Sequence, residues 1–242
     1  MAATQPNFTD PIFLTFDDLC ANSKLTDQIA ILCNAAFTRP KSLNPAKWEV
    51  PAIRFPDTQT LLDMVGKDGI MAIILDESWV SGDDEDIRVE VGGGEGGEVK
   101  RGKLVVTTTI VPWAGGQDKE GAGTEPGYEM KAVCVDGDAR YLRKGLAIKV
   151  MDALENYIIE VERKQMRHKG DDADAKQPNC AMKDGNKRVL TLWILAAEDL
   201  VGSYWRKTGY ENVRSAIYSG IWGCRTSFEL MVLKKEVEYS LE

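Results

Sequence analysis

The chain has 242 residues, of which 43% are hydrophobic and 28% charged, and this is the usage of a globular protein with a sizeable core. Its 30 lysines and arginines face 38 aspartates and glutamates, for a net charge of −8, which disfavours non-specific binding to nucleic acid. No run of about 18 apolar residues is present, and the first residues lack the features of a signal peptide. Composition therefore predicts a soluble cytoplasmic protein with neither a nucleic-acid nor a membrane partner.

Neither a disulfide framework nor a metal site is predicted. The five cysteines are scattered and form no CxxC pair, so they match neither a disulfide-rich secreted protein nor a zinc site. The one histidine, His168, lies in a polar run. A solvated side chain is expected there, rather than a member of a catalytic triad or dyad.

The first forty residues predict a strand followed by a helix. Residues 12–16 have the apolar run of a short strand, and Asp17 or Asp18 is expected to cap the turn that follows. From Asp27 to Phe37 the apolar residues recur at helical spacing.

Proline is expected to end this helix and to keep the next segment irregular. A residue that precedes proline is pushed out of the helical region, so the helix is expected to stop before Arg39 and Pro40. Residues 41–56 contain three prolines and are expected to be mostly loop. Asp57 has the position of a cap for a second helix, which is expected to close near Gly66 or Gly69.

Two apolar segments, 70–75 and 103–111, are typical of interior strands. Between them, acidic residues and glycines predict a flexible insert over about 78–101. The glycine cluster at 92–97 is not expected to bind phosphate. A dinucleotide fingerprint must follow a strand and open a helix, whereas this cluster leads into another strand and lacks the Gly-Lys-Ser/Thr ending of a P-loop.

The second half of the chain predicts a strand ending near Asp136, a turn, and a long amphipathic helix that opens at Gly145. A polar stretch over about 165–188 is too hydrophilic to be buried and is expected to be a second flexible insert. The remaining predicted elements are a strand over 189–196, a helix over 198–207 and closing strands over 212–219 and 227–234.

The turn before the long helix predicts an anion site. Because Gly145 lies where a strand gives way to a helix, the free N–H groups and the dipole of that helix point beyond the strand end. Arg140, Arg143 and Lys144 supply cations suited to a phosphate or diphosphate, and the small Ala147 allows close approach. The alternative is a basic turn that merely starts a helix.

Two motifs resemble those of the GNAT N-acetyltransferase superfamily. The sequence Arg143-Lys-Gly-Leu-Ala147 resembles the family's acetyl-CoA pyrophosphate loop, [Gln/Arg]-x-x-Gly-x-[Gly/Ala]. Downstream, Ser203-Tyr-Trp-Arg-Lys-Thr-Gly-Tyr210 is similar to the second signature, an aromatic pair followed by x-Lys-x-Gly-Phe/Tyr. The resemblance covers roughly residues 10–235. It implies a single α/β domain over 1–242, whose mixed, mostly antiparallel sheet has about seven strands flanked by about four helices.

The resemblance implies acetyl-CoA as cosubstrate and no metal. In the family, the strand before the loop holds the pantetheine arm through its backbone amides, and the loop and helix N-terminus hold the diphosphate. The residues expected to contact the cosubstrate here are Val133, Cys134, Val135, Arg140, Arg143, Lys144, Gly145, Leu146, Ala147 and Trp205.

The chain departs from the family pattern at three positions. Leu142 stands where the family has Gln or Arg, and Glu198 stands where it often has an asparagine. Trp205 occupies the position of the tyrosine that many members use as general acid, and an indole has no transferable proton near neutral pH. The adjacent Tyr204 is the candidate substitute, although neighbouring side chains on a helix point about 100° apart.

The resemblance implies direct attack of an amine on the thioester, with a base to take the ammonium proton. Glu129 matches the position of the base glutamate in some family members, and burial there would raise its pKa towards neutrality. A solvent-facing strand residue is the alternative. Cys134 has no histidine near it in sequence and is expected to be inert filler rather than a nucleophile.

The amine acceptor is left open between small-molecule and peptide amines, as is the choice between monomer and homodimer. In the superfamily the acceptor pocket is shaped by segments that correspond here to 38–56 and about 220–226. Their aromatic and cationic residues are Arg39, Lys41, Trp48, Arg54, Trp222 and Arg225. A module of the same fold that binds acyl-CoA without catalysis is the alternative function, favoured by Trp205.

Overall fold

A computed structural model describes residues 5–79, 86–91, 98–116, 125–168, 181–182 and 187–240. Its helices are α1 (Phe16–Ala21), α2 (Ser23–Lys41), α3 (Thr58–Val65), α4 (Leu146–His168) and α5 (Ser203–Lys207), the last preceded by a π-helical turn at Glu198–Gly202. Its strands are β1 (Ile12–Leu14), β2 (Ile70–Asp76), β3 (Asp86–Val91), β4 (Glu98–Pro112), β5 (Tyr128–Val135), β6 (Ala181–Met182), β7 (Lys187–Ala197), β8 (Glu211–Tyr218) and β9 (Phe228–Ser240).

The chain divides into two compact units. The first consists of Met1–Thr109 and Ala132–Leu154, and the second of Ile110–Lys131 and Glu155–Glu242. Strands β4 and β5 and helix α4 therefore each contribute one part to the first unit and the other part to the second. The single domain expected from the sequence stays a prediction.

The first unit has the strand order β1-β2-β4-β5, and β3 pairs with β4 at the side of this path. Strands β1 and β2 are antiparallel, with Ile12 opposite Ile73. Alternate residues of β2 pack with α1, α2 and α3 in one apolar cluster, which also takes in Leu104 of β4 and Cys134 of β5. The cluster holds the end of β5 in place, and the turn that follows it carries the predicted anion site.

In the second unit the order is β5-β7-β9-β8, with β6 paired to β7. Strands β5 and β7 run parallel, with Glu129 opposite Trp193. The pairs β7–β9 and β8–β9 are antiparallel, and a bulge interrupts β8 between Asn212 and Arg214.

This architecture confirms the predicted fold class. The sheet is mixed and mostly antiparallel, and seven strands form its main path through the described residues. The predicted strand that ends near Asp136 is β5, and the predicted amphipathic helix is α4. On α4 the expected apolar face is buried at Val150, Met151, Leu154 and Ile158.

The predicted cap after the first strand was wrong. A separate helix, α1, begins there, and Thr15 is its cap: the Thr15 hydroxyl accepts from the Asp18 N–H at 3.2 Å. Asp18 accepts from the Thr15 N–H at 2.8 Å in return. This is a reciprocal capping box, which places the carboxylate at the third helical position rather than at the cap.

Helix α2 is longer at both ends than predicted. Asn22 caps it, accepting from the Leu25 N–H at 3.1 Å, and the helix runs through Pro40 to Lys41. Proline is tolerated because it lies in the last turn, where its missing N–H costs one hydrogen bond and no helix follows. Ser42 closes the end by donating from its N–H to the Thr38 carbonyl at 2.9 Å.

Part of the flexible insert predicted over about 78–101 is regular structure. Residues 86–91 form β3, which pairs antiparallel with β4 from Glu98 to Lys103. Ile87 and Val89 are buried while Arg88 between them is exposed, an alternation typical of a strand with one covered face. The glycine cluster at 92–97 lies outside the described residues.

The second expected insert is also bordered by structure. Helix α4 continues to His168, and the pair 181–182 forms β6; residues 169–180 and 183–186, like the His168 side chain, lie outside the described part. In the part of the chain that the structure describes, no helix combines the length and apolar character needed to span a membrane.

Candidate active site

Strand β5 is irregular at its middle. Ala132 has φ +50°, a left-handed conformation that costs an alanine roughly 1–2 kcal/mol, and its side chain is buried. After it, Cys134 is buried while Val133 and Val135 are half-buried. The strand expected to hold the pantetheine arm thus has a local backbone distortion at the start of the expected contacts.

The corner after β5 is fixed from two sides. The Val135 carbonyl accepts from the Arg39 guanidinium at 2.6 Å, and the Asp136 N–H donates to the Val105 carbonyl at 2.8 Å. A Cβ added at Gly137 would lie 3.4 Å from Arg39 Nη1, in contact with the guanidinium. Arg39, expected near the acceptor, therefore contacts the strand end that leads into the predicted anion site.

A cavity of about 150 Å³ opens in the first unit beside this corner. Helix α2, strand β4 and the end of β5 with the corner after it all contribute to its lining, which mixes apolar and polar side chains. The residues that line it are Gln28, Ile31, Leu32, Ala35, Arg39, Lys103, Leu104, Val135, Asp136 and Gly137.

Residues 138–145, named here the basic turn, begin with an ion pair. Arg140 Nη2 donates to Asp138 Oδ2 at 2.7 Å, and the Arg140 N–H donates to Asp138 Oδ1 at 2.9 Å. These bonds lower the pKa of Asp138 to about 2. The guanidinium also lies over the Trp79 ring, 4.6 Å from its centroid. Arg140, expected to contact the cosubstrate, thus already has partners within the protein.

Tyr141 anchors the middle of the basic turn. Its hydroxyl donates to Asp76 Oδ2 at 3.0 Å, and both residues are fully buried. Burial and the adjacent Asp76 carboxylate raise the pKa of Tyr141, so the phenol is protonated at neutral pH and acts as the donor. Neither residue stood out in the sequence, because they are 65 positions apart.

The end of the basic turn is exposed and positively charged. Arg143 and Gly145 have φ values of +60° and +73°, and Arg143, Lys144 and Gly145 are all exposed. Neither cation forms an ion pair with another described residue. The Gly145 carbonyl accepts from the Lys149 N–H at 2.9 Å, so α4 begins here as predicted.

The first turn of α4 has backbone N–H groups without hydrogen-bond partners among the described residues. Leu146 is buried and Ala147 is half-buried, and within the described chain the N–H groups of residues 146–148 have no hydrogen-bond partner. These amides, beside two cations that pair with no described residue, form an arrangement suited to a phosphate or diphosphate.

Glu129 lies in the second unit and is buried rather than solvent-facing. Its side chain is 7% exposed, and its carboxylate lies 3.1 Å from Lys131 Nζ. The preceding residue, Tyr128, donates its hydroxyl to Glu162 of α4 at 2.7 Å. Glu129 is therefore a carboxylate held away from bulk solvent, beside the Lys131 ammonium group.

The second signature forms helix α5 in the same unit. Trp205 is buried and packs edge-to-face with Tyr204 and Tyr210, at centroid distances of 5.0 and 5.4 Å. Tyr204 is 38% exposed, so a phenol is accessible beside the indole. Glu198, at the family's asparagine position, pairs with Arg206 through two hydrogen bonds of 2.7 and 2.5 Å.

A tryptophan pair in the second unit was missed by the sequence analysis. Trp113 and Trp193 stack at 5.0 Å with an interplanar angle of 10°. Glu125 accepts from Trp113 Nε1 at 2.9 Å and from both terminal nitrogens of Arg214. Trp193 lies opposite Glu129 in the β5–β7 register. The signal available in the sequence was a tryptophan within each of two otherwise aliphatic segments.

The segment after α2 does not present its aromatic residue as expected. Trp48 is 1% exposed, and Lys41 and Lys47 lie over its ring at 5.2 and 6.0 Å. Arg54 similarly lies over Phe37 at 4.6 Å. Trp48 is therefore a core residue of the first unit, and its expected place in an open acceptor pocket was wrong.

Cys134 is buried, and its thiol is hydrogen-bonded to Cys33; this contact, with burial, raises the pKa of Cys33. Such thiols are poor nucleophiles at neutral pH. Among the described residues, no three His, Cys, Asp or Glu side chains come together as metal ligands would.

The fold defined by these elements is that of the GNAT superfamily. The sequence itself matches no protein-family profile and no curated protein. Among solved structures, a candidate acetyltransferase from Acinetobacter baylyi is similar with a TM-score of 0.52 at 12% identity, over 97% of this chain and 95% of that one.

Two further similar structures have lower TM-scores. NAA60 from Arabidopsis thaliana, in complex with a bisubstrate analogue, has a TM-score of 0.45 at 12% identity, over 84% of this chain and 94% of its own. YncA from Salmonella typhimurium, with acetyl-CoA, has a TM-score of 0.43 at 15% identity, over 98% of this chain and 95% of its own.

Proposed function

We propose that this protein is a cytoplasmic N-acetyltransferase that moves an acetyl group from acetyl-CoA to a primary amine. The observation that carries the proposal is the end of the basic turn: on a GNAT fold, Arg143 and Lys144, which form no ion pair with any described residue, adjoin amides of α4 that have no partner among the described residues. Acetyltransferase activity is the general property that such a fold supports. The transfer mechanism and the acceptor are specific to the proposal.

The residues of the first unit fit the chemistry of acetyl-CoA. Its diphosphate would be held by Arg143, Lys144 and the N–H groups of residues 146–148, because amides and guanidinium groups both bind phosphate oxygens strongly. Its pantetheine arm would be held by the backbone of residues 133–135. When bound, the ligand supplies an activated acetyl thioester.

Glu129 is the proposed base. A primary amine is mostly protonated at neutral pH, so a proton must leave before the nitrogen can attack a carbonyl carbon. The Glu129 carboxylate is buried and lies 3.1 Å from Lys131 Nζ. Glu129 would take the proton directly or through a water molecule.

Tyr204 is the proposed general acid. Trp205 at the usual acid position has no proton to give, whereas the phenol of Tyr204 is accessible and adjoins it. Solvent is the other source of a proton for the leaving thiolate. Replacing Tyr204 with Phe separates these sources, because only a role for the phenol predicts a lower kcat at unchanged KM for acetyl-CoA.

The experiment that tests the activity is transfer of a labelled acetyl group from acetyl-CoA to a panel of amino acids, polyamines and peptides with free N-termini. Label in an amine product that is lost in Glu129→Gln supports the enzyme and its base. An active Glu129→Gln variant with an unchanged kcat across pH would remove Glu129 from the mechanism.

A second candidate function is binding of acyl-CoA without catalysis, in a monomer or homodimer of the same fold. The buried Trp205 at the acid position favours it. Tight binding of acetyl-CoA combined with no labelled product from any amine in the panel would select this alternative.

A further inference from the structure

Strand β2 of the first unit ends in a buried carboxylate with four hydrogen bonds. Asp76 Oδ1 accepts from the N–H groups of Asn7 and Ser78, both at 3.0 Å, and from the Ser78 hydroxyl at 2.7 Å. Asp76 Oδ2 accepts from the Tyr141 hydroxyl at 3.0 Å. Among the described residues, Tyr141 is the one partner of Oδ2 and the one donor to Asp76 that comes from the basic turn.

The tyrosine that makes this bond is held on its other sides as well. Tyr141 is fully buried, and Phe8 packs edge-to-face against its ring at a centroid distance of 6.1 Å. Its N–H donates to the Asp138 carbonyl at 2.9 Å, closing the first half of the basic turn. The Tyr141 ring is therefore buried, and the hydrogen bond from its hydroxyl to Asp76 fixes its orientation.

The residues that follow Tyr141 depend on it for their position. Arg143, Lys144 and Gly145 are exposed, and buried Leu146 then starts α4. Among the described residues, neither the Arg143 nor the Lys144 side chain has a hydrogen-bond or ion-pair partner. The exposed residues 143–145 thus lie between two buried side chains, Tyr141 before them and Leu146 after them.

We propose that Asp76 and Tyr141 are positioning residues, whose hydrogen bond holds the basic turn in the conformation that binds a diphosphate. The inference rests on the proposed function, because it concerns the same ligand site. Neither side chain touches the ligand. Their role is to keep the two cations and the amides of α4 directed at one anion.

The test compares Tyr141→Phe with Ser78→Ala. Each variant removes one hydroxyl bonded to the Asp76 carboxylate, but only the first releases the basic turn. Binding of CoA and of pantetheine, which lacks the diphosphate, is measured by titration calorimetry or by NMR. Unfolding in urea gives the stability of each variant.

We expect Tyr141→Phe to weaken CoA binding by about tenfold, the equivalent of roughly one hydrogen bond, and to change the pantetheine Kd by less than about twofold. Ser78→Ala should lose stability and keep its CoA affinity. A purely structural role for Tyr141 cannot produce this split, since general loosening would weaken both ligands.

Three results would overturn the inference. The first is a Tyr141→Phe variant with wild-type CoA affinity, and the second is an equal loss for CoA and pantetheine. The third is a Ser78→Ala variant that loses as much CoA affinity as Tyr141→Phe. If Tyr141→Phe does not fold, Asp76→Asn replaces it and the same selective loss is required. Absence of CoA binding by the wild-type protein is a different result, which removes the proposed function itself.

Discussion

Asp138 and Arg140 show how one ion pair shapes the basic turn. Hydrogen bonds from Arg140 lower the pKa of Asp138 from 3.8 to about 2, so the carboxylate is ionised at every physiological pH. Because the folded pKa is below the unfolded one, the pair stabilises the fold above about pH 4 and loses its effect as the pH falls towards 2. The start of the turn therefore keeps its conformation in mild acid.

This pair gives a direct spectroscopic prediction. In ¹³C NMR, the Asp138 carboxyl should titrate with a pKa of about 2. Arg140→Gln should raise that pKa towards 3.8 by removing the guanidinium donors, and Arg143→Gln, which leaves the pair intact, should not change it. Titration of Asp138 near pH 4 in the wild-type protein would show that the pair does not form in solution.

Arg143 and Lys144 are the side chains on which ligand affinity is expected to depend. Replacing either with Ala removes a charge-assisted hydrogen bond and should weaken CoA binding by about 1–2 kcal/mol. Lys164→Ala is the matched control, because it removes an exposed cation from the far end of the same helix. Calorimetric titration measures all three. Equal affinity in the three variants would locate the cosubstrate elsewhere.

At the level of elements, the junction of β5 with its neighbours leaves no room for a side chain at Gly127. The residue has φ +124°, and an added Cβ would lie 2.2 Å from the Thr191 carbonyl oxygen and 2.9 Å from Trp193 Nε1. The Gly127 carbonyl also accepts from the Trp113 N–H at 3.0 Å. Close backbone approach thus fixes the strand that carries Glu129.

Gly127→Ala should lower the free energy of unfolding by about 3 kcal/mol, because the clash is with backbone that cannot move aside. Gly209→Ala is the control: it has φ +90° but no atom within 4 Å of the new Cβ, and should cost only about 1–2 kcal/mol of backbone strain. Urea denaturation followed by tryptophan fluorescence measures both. Similar losses in the two variants would contradict the close packing at Gly127.

The sequence predicted the elements with strong local patterns. Strand β5 and helix α4 follow from their apolar periodicity, and Gly145 marks the junction before α4 through its conformational freedom. Strand β3 was missed because it has only six residues, and the alternation of apolar and polar residues over so short a segment, between acidic and glycine-rich stretches, is a weak signal. The backbone distortion at Ala132 left no signal in the sequence, since alanine has no preference for positive φ.

Long-range contacts were beyond the reach of local patterns. The bond between Tyr141 and Asp76 joins positions 65 apart, and the burial of Glu129 depends on elements that surround β5. Trp48 was misplaced for a different reason: an aromatic residue among cations suits a binding pocket, but its side chain is buried, and Lys41 and Lys47, which both precede it in the chain, lie over its ring.

At the scale of the whole molecule, the net charge of the protein opposes binding of the proposed ligand. The chain has a net charge of −8, and CoA is itself strongly anionic, so long-range attraction is absent. Binding must then depend on the local field of Arg143, Lys144 and the N-terminus of α4. Screening by salt should affect this short-range contact less than it affects the general repulsion.

The measurement that tests the central claim most directly is calorimetric titration of the wild-type protein with acetyl-CoA, alongside an Arg143→Ala/Lys144→Ala double variant. The account predicts one site with micromolar affinity in the wild type and a loss of about 2–4 kcal/mol in the double variant. No heat of binding at millimolar acetyl-CoA, or equal affinity in the two proteins, would contradict the assignment of the basic turn as the cosubstrate site.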